Sequence, residues 1–209
     1  MRENQTSWKE SMAPYKGVIY FLCLLFFFHF SWKIAIDGDI DSEFIYLFDK
    51  NITPEWFHSV CRWFTSTAAN FIRLFPDTQD LVVKDTSMYF PDGQIVISII
   101  WGCTGIKQLS IFIGIMLFYK SYPFAKYQLH KLWYIPMGCI LLTAYNVVRI
   151  GMTVILTNGH PEKFESLHDG MFRYIYYTII FILWVVWEEL FAKKAERRIA
   201  ESRELRIKN

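Results

Sequence analysis

The chain of 209 residues is 53% hydrophobic, 19% aromatic and 20% charged, a composition that favours a membrane protein over a soluble domain. Its formal net charge of only +2 excludes the strongly basic surface that gathers nucleic acid. Its four cysteines form no Cys-x-x-Cys pair, and it has no Walker loop or Gly-x-Gly-x-x-Gly motif, which excludes zinc fingers, dithiol redox centres, disulfide-rich scaffolds and nucleotide-binding loops.

Four apolar segments predict membrane-spanning helices, since a span needs about 20 mostly apolar residues. The first, 17–36, is followed by Asp-Gly-Asp instead of a small-residue cleavage site, so we expect an uncleaved anchor behind a cytoplasmic segment 1–16. The second, 104–119, is short for a span by the standard rise per residue. The third and fourth are 132–156 and 171–190.

The segment 37–94, between the first two spans, contains two further patterns. Apolar side chains recur at helical spacing over 55–75, which predicts an amphipathic helix that lies at the membrane surface or packs on the bundle; a fifth crossing is the alternative. Residues 81–83 and 88–90 predict a small β-hairpin. Residues 94–100 are β-branched and follow Pro-Asp-Gly, which predicts a further strand.

The charges orient the spans, because Lys and Arg concentrate on the cytoplasmic side of a membrane. The loop 120–131 has three lysines and no acid, and the tail 192–209 has seven Lys or Arg and three Glu. Segments 37–92 and 158–170 are acidic, with ten acids against four bases and three acids against one base. Both termini are therefore expected inside and the acidic segments outside. The predicted fold is a single domain, an all-α integral membrane protein of about four spans with an amphipathic outer helix and a small β-hairpin before Cys103.

Polar or reactive side chains beside apolar spans are candidates for function, and Cys103 is the first of them. It lies between two glycines just before a helix, where free amide groups, the helix dipole and Lys107 would favour the thiolate. The thiolate is the nucleophilic form of cysteine. Two other interpretations stay open, namely a small residue at a tight strand-to-helix junction and a disulfide with Cys61.

Asn146 and Arg149 form the second candidate. They are three residues apart and so project from nearly one face of the third span. Arg149 lies eight residues before Thr157, which places its guanidinium about 12 Å from the outer end of the helix. Because this group stays charged, it needs an anion or a carbonyl as its partner. Helix carbonyls, or water reached by snorkelling, would also satisfy it.

His168 is the third candidate, because histidine exchanges protons near neutral pH and this one directly precedes the last span. His160 in the same acidic loop competes for that role, and each histidine taken alone is more typical of an ordinary loop position. The predicted topology puts Cys103, Arg149 and His168 in one shallow layer near the outer face.

Three motifs together resemble the exosortase/archaeosortase family: Cys-Thr-Gly-Ile at 103–106, Asn-Val-Val-Arg at 146–149 and His168-Asp169-x-x-Phe-Arg, each beside a membrane helix. The likeness covers about 94–184, and the chain resembles a compact, bacterial-type member because other members have more helices. The resemblance implies a membrane cysteine protease or transpeptidase that acts at the outer face of the cell membrane. Its substrates would be secreted proteins with a C-terminal sorting signal, made of a short motif, a transmembrane helix and a basic tail.

The resemblance also implies roles for single residues. Cys103 matches the family's nucleophile, Arg149 its essential arginine and His168 its histidine. Arg173 is a reserve candidate for the third role, since archaeal members can carry arginine there, and Thr104 stands where serine is common. We expect further support or substrate binding from three polar residues, Asn146, Gln108 and Lys107.

Two other classes of function remain open. A small transporter would use Arg149 as an anion site and leave Cys103 dispensable, although the chain has no internal repeat. A scaffold protein would use the amphipathic helix and the basic tail to bind partners. All three interpretations put the chain in the lipid bilayer of the cell membrane, and none calls for a metal, a cofactor or nucleic acid.

Overall fold

The computed structural model describes residues 15–37, 46–47, 50–91, 96–119, 129–158, 160–164 and 166–194, and single positions at 197, 201, 205 and 207. The amino-terminal segment and most of the two predicted cytoplasmic segments, the 120–131 loop and the 192–209 tail, lie outside the described residues. The described part is mostly helical. Its long helices are α1 (Lys16–Ala35), α2 (Phe57–Ile72), α3 (Ile106–Phe118), α4 (Lys131–Thr157) and α5 (Phe172–Trp187).

Three stretches of the described chain are long and apolar enough to cross a membrane. They are α1, α4 and Phe172–Phe191, which continues α5 into a π-helical turn at Glu188–Ala192. The predicted spans 17–36, 132–156 and 171–190 therefore correspond to continuous apolar helices, as expected from their length and composition.

The helix α3 is apolar but shorter than a usual span. Its 13 residues make about 20 Å of helix, less than the hydrocarbon core of about 30 Å. It begins at Ile106, two residues after the predicted start at 104, because a 3₁₀ turn at Trp101–Thr104 and a left-handed Gly105 come first. A fourth crossing by this segment therefore stays a prediction.

The helix α2 is the amphipathic helix that the pattern over 55–75 predicts. It packs with its apolar face on α4 and on a neighbouring β-sheet. Its buried apolar residues are Phe57, Cys61, Phe64, Ala68, Ala69 and Ile72. With 16 residues it is not among the span-length helices of the described chain, and its packing agrees with the interpretation of a helix that lies on the rest of the protein. The alternative of a fifth crossing stays a prediction.

Two small antiparallel sheets lie in the segment between α1 and α3. The second consists of β4 (Val82–Lys84), β5 (Ser87–Tyr89) and β6 (Val96–Ser98), in that order. This confirms the predicted β-hairpin and the predicted strand before Cys103, each within a residue or two. The first sheet consists of β1 (Ile36–Asp37), β2 (Tyr46–Leu47) and β3 (Lys50–Asn51), and it was not predicted because two-residue strands carry no alternating pattern.

Buried apolar side chains form two separate clusters. We call the first the bundle cluster; it joins α1, α3, α5 and the first half of α4, and includes Phe21, Phe112, Leu142, Ile180 and Trp184. We call the second the cap cluster; it joins α2, the second sheet and the last half of α4, and includes Phe64, Ile72, Met88, Trp101 and Ile150. The helix α4 thus belongs to both, and it passes from one to the other between Leu142 and Val147.

Candidate active site

Cys103 lies at a sharp bend between β6 and α3. A 3₁₀ turn covers Trp101–Thr104, and the amide of Cys103 donates to the carbonyl of Ile100 at 2.9 Å. Gly105 follows with a φ of +73°, a left-handed conformation that other residues adopt only with strain. The helix begins at Ile106, so its unpaired amide groups lie within a few residues of the half-buried Cys103.

Asn146 and Arg149 converge on the backbone of Cys103. The Asn146 side-chain amide Nδ2 donates to the Cys103 carbonyl oxygen at 2.8 Å, and Arg149 Nη2 donates to the same oxygen at 3.2 Å. Both α4 residues are buried, Asn146 with 0% and Arg149 with 5% of its surface exposed. The structure therefore brings together two of the three predicted candidates, and the shared partner is a carbonyl, one of the two kinds that a buried guanidinium needs.

Gly105 explains how α4 comes so close to this bend. A Cβ atom at this position would lie 3.2 Å from Cγ of Asn146 and 3.0 Å from the hydroxyl oxygen of Tyr176. Tyr176 is fully buried, and its hydroxyl donates to the carbonyl of Leu142 at 3.2 Å. Sequence reasoning missed Tyr176; the available signal was a tyrosine hydroxyl inside an apolar span, since such a group needs a buried partner.

Three buried polar atoms at this site have no hydrogen-bond partner among the described residues. They are Arg149 Nε, Asn146 Oδ1 and Gln108 Oε1. A buried polar atom without a partner costs about 1–3 kcal/mol, so a group of them is typical of a place where another molecule completes the bonding. Asn146 and Arg149 each donate a hydrogen bond to Cys103 from one atom, and each has a second atom that could bind another molecule.

The remaining predicted residues surround this centre. Thr104 is 1% exposed, and its hydroxyl donates to the carbonyl of Trp101 at 2.6 Å, which closes the 3₁₀ turn. Lys107 and Gln108 are half-buried in the first turn of α3. Arg173 is exposed at the second residue of α5.

The two histidines differ in what the structure describes. The backbone of His168 lies in the π-helical turn Ser166–Met171 directly before α5, and its side chain lies outside the described part. His160 is exposed, and its Nδ1 lies 3.1 Å from a carboxylate oxygen of Glu162. A backbone hydrogen bond, together with the hydrogen bond and charge of His160, lowers the pKa of Glu162. His160 thus has a local surface partner, whereas the role of His168 stays a prediction.

None of the four cysteines, all of which lie in the described part of the chain, forms a disulfide, so the alternative of a bond between Cys61 and Cys103 is not what the structure contains. Cys61 is 4% exposed in the cap cluster, and burial raises its pKa to about 11. That shift makes its thiolate still rarer at neutral pH than the thiolate of an ordinary cysteine. Cys103 is therefore the cysteine that combines partial exposure with a neighbouring guanidinium.

A family model described as Transmembrane exosortase (Exosortase_EpsH) matches residues 47–186. The chain belongs to the transmembrane exosortase family. This confirms the resemblance carried by the three motifs, and the match starts well before the predicted limit at 94, so it includes α2 and the second sheet. No curated protein and no solved structure matches the chain.

Membership of the exosortase family implies, in general terms, a membrane cysteine transpeptidase with a protein substrate. The three span-length helices agree with a membrane protein. In this exosortase, the matched segment contains the Cys103 bend, the α4 donors and the turn that carries His168.

Proposed function

We propose that this exosortase is a cysteine transpeptidase or protease that cleaves C-terminal sorting signals of secreted proteins through an acyl-enzyme on Cys103. The observation that carries the proposal is the convergence of Asn146 and Arg149 on the carbonyl oxygen of Cys103. These two contacts hold a half-buried thiol beside a buried guanidinium in a member of a cysteine transpeptidase family.

The first chemical step is attack on the scissile peptide bond. His168 takes the proton from the Cys103 thiol, and the thiolate sulfur forms a bond to the carbonyl carbon of the substrate. When the tetrahedral intermediate collapses, the bond between carbon and nitrogen breaks and His168 gives the proton to the departing amine. The product is a thioester on Cys103. Water, or an amine or hydroxyl acceptor, then attacks the thioester and restores the thiol.

Arg149 stabilises the negative charge that develops on the substrate oxygen. Its Nη2 group holds the Cys103 carbonyl, and its buried Nε has no partner among the described residues, so a second N–H remains for the oxyanion. One such donor is worth about 3 kcal/mol in acyl transfer. Asn146 keeps the backbone of Cys103 in position, while Lys107, Gln108 and Thr104 support the first turn of α3 and its approach.

The proposed location is the cell membrane, with the active site at the extracytoplasmic side. The distribution of Lys and Arg supports this orientation, because the 120–131 loop and the tail are basic while the segments beside Cys103 and His168 are acidic. In this setting the transmembrane helix of the substrate docks beside the spans, and the scissile bond reaches Cys103 from the outer leaflet.

Substitution of the nucleophile tests the proposal. Cys103→Ser should abolish processing of a co-expressed secreted protein that ends in a short motif, an apolar helix and a basic tail, because a serine hydroxyl is a poor nucleophile without thiolate character. Cys139→Ser on α4 is the matched control and should process at the wild-type rate. Intact-mass analysis of the wild type should detect a thioester-linked substrate fragment on Cys103.

Full cleavage by Cys103→Ser would contradict the assignment of the nucleophile. No processing and no thioester in the wild type itself would favour a transporter or a scaffold, since neither of these cleaves a substrate.

A further inference from the structure

A cavity of about 560 Å³ lies in the cap, beside the chain that leads into the Cys103 bend. One part of its wall is the stretch from Ser98 to Trp101, and another is the connection from β3 into α2, around Thr53. Asp85 and Ser87, from the β4–β5 hairpin, close one end. This volume lies within the range of about 300–1,000 Å³ that is usual for binding pockets.

The strand β6 offers an open edge along this wall. It pairs with β5 on one side, and the amide of Ile99 donates to the carbonyl of Thr86 at 2.8 Å. Because backbone groups point alternately to the two sides of a strand, those of Ser98 and the amide of Ile100 point away from β5. These groups have no backbone partner among the described residues.

The same wall carries an unused side-chain donor. Trp101 is 7% exposed and lines the cavity, and its indole N–H has no hydrogen-bond partner in the described part of the chain. Trp101 stands two residues before Cys103, at the start of the 3₁₀ turn. The cavity therefore adjoins the proposed nucleophile along a row of donors suited to a peptide backbone.

Three charged or titratable side chains pair with one another beside the cavity. Asp85 accepts a hydrogen bond from His58 Nε2 at 2.9 Å and forms an ion pair with Arg62 Nε at 3.2 Å, and Arg62 Nη2 lies 3.1 Å from His58 Nδ1. Each group in this trio has its partners within the trio, and Glu55 adds one carboxylate to the lining. The backbone and indole donors beside that carboxylate are suited to hydrogen bonds with the main chain of a peptide.

We infer that this cavity binds the stretch of the substrate directly before the scissile bond, as an extended peptide that adds to the open edge of β6. The inference rests on the proposed function. An added strand gains affinity from main-chain hydrogen bonds and specificity from pockets for alternate side chains. About four extended residues, at roughly 3.3 Å each, cover the distance along the wall from Ser98 to the bend.

The direction of the bound peptide follows from what lies before and after the scissile bond in the substrate. The residues after the scissile bond belong to an apolar helix that enters the bilayer, whereas none of the residues that line the cavity belongs to a span-length helix. The residues before the bond therefore occupy the cavity, and the peptide runs toward Cys103 in the same direction as residues 98–103.

Blocking one amide of the open edge tests the inference. Ser98→Pro removes an N–H that points away from β5 and leaves the backbone ladder to β5 intact, a position where strands tolerate proline. It also removes the 2.8 Å hydrogen bond between the hydroxyls of Ser98 and Ser87, which lies between the strands. With purified full-length protein in detergent micelles and a sorting-signal protein as substrate, KM should rise about tenfold with little change in kcat. That size corresponds to one lost hydrogen bond.

Val96→Pro is the matched control, since Val96 lies in the same strand, also points its amide away from β5 and does not line the cavity. Its KM should stay within about twofold of wild type. Thr53→Phe places a larger side chain at another part of the lining, outside the strand β6, and it should also raise KM. It serves as the second variant if Ser98→Pro does not insert into the membrane.

The outcomes separate this inference from the proposed function. If wild type and Ser98→Pro process the substrate with the same KM, and Thr53→Phe does so too, the peptide site is wrong while the Cys103 chemistry stands. If wild type is as inactive as Cys103→Ser, the proposed function is wrong and the peptide site falls with it. A raised KM in both cavity variants, with Val96→Pro unchanged, supports the site.

Discussion

The cap cluster and the bundle cluster are packed in different ways, and the difference explains where the candidate active site lies. In the bundle, apolar side chains from four helices meet, with α1 contributing only Phe21 as a buried residue among those described. In the cap, an amphipathic helix and a three-stranded sheet pack on the last half of α4. Membrane-embedded helices tolerate few polar groups, whereas a cap that borders water can hold a cavity, open strand edges and a bend with positive φ.

The helix α4 connects the two regions, and its polar residues lie at the point of transition. Asn146 and Arg149 follow the last bundle residue, Leu142, and stand beside Val147 and Ile150 of the cap cluster. A guanidinium buried there obtains its partner from the Cys103 bend. The candidate site therefore lies where the bundle cluster and the cap cluster meet on α4.

The largest expected effect tests whether processing depends on the planar shape of the Arg149 guanidinium or only on its positive charge. Arg149→Lys keeps the positive charge but replaces a planar fork of donors with a single ammonium, which cannot hold the Cys103 carbonyl and an oxyanion together. We expect kcat for processing to fall about 10²- to 10³-fold, the loss typical of one oxyanion donor. Steady-state processing rates in detergent micelles measure it.

Arg73→Lys is the matched control for this variant. Arg73 Nη2 also donates to a backbone carbonyl, that of Leu81, at 3.2 Å, but it lies at the end of α2 in the cap. Its processing rate should stay within about twofold of wild type, as for most surface substitutions. Equal losses in the two variants would mean that Arg149 acts only through the fold.

The contrast between the two regions also shows how far the sequence predicts this fold. The apolar length of α1, α4 and α5 and the helical period of α2 identified these elements, because burial imposes both signals on the residues themselves. The predicted start of α3 is two residues too early, because Gly105 has a positive φ and the helix begins only after it. A glycine in a sequence does not by itself show which conformation it adopts. The count of four crossings stays a prediction because α3, with 13 residues, is shorter than a usual span.

For the candidate site, the sequence spacing predicted which residues lie near one another but not which of their atoms form hydrogen bonds. The three-residue separation predicted that Asn146 and Arg149 lie on one face of α4. The distribution of Lys, Arg and acidic residues along the chain predicted that this face lies at the same depth as Cys103. Asn146 and Arg149 share the backbone carbonyl of Cys103 as their acceptor because of the way α4 is rotated against α3. No local sequence pattern predicts that rotation. The contact of Tyr176 with the bend depends on the packing of α5 in the same way.

The next effect compares two glycines of α4, one in each region. A Cβ at Gly138 would lie 2.4 Å from the ring of Phe112 in the bundle, and a Cβ at Gly151 would lie 2.5 Å from the ring of Phe71 in the cap. Phe112 is fully buried and cannot move away, whereas Phe71 is half-buried and has room to turn. Gly138→Ala should therefore lower the free energy of unfolding by about 3 kcal/mol and Gly151→Ala by about 1 kcal/mol, within the range for overpacking.

Unfolding of both variants in detergent micelles measures this pair. Processing rates, taken where both proteins remain folded, should rank the other way, because Gly151 is two residues from Arg149 and shifts the cap against α4. If Gly151→Ala proves at least as destabilising as Gly138→Ala, the cap is packed as tightly as the bundle and the comparison is wrong.

The smallest effect concerns Cys61, whose pKa burial raises from 9.0 to about 11. Because the folded protein holds this proton more tightly than the unfolded chain, the thiol contributes stability that is fully present below about pH 9 and is lost as the pH rises toward 11. Cys61→Ala should remove this part of the decline, so the difference in unfolding free energy between wild type and variant should shrink over that window.

At pH 8, iodoacetamide should modify Cys103 well before Cys61, because only a thiolate reacts and Cys61 stays protonated. Equal labelling of the two thiols in the folded protein would mean that the cap opens around α2, and its cavity would then lack the fixed walls on which a bound peptide depends.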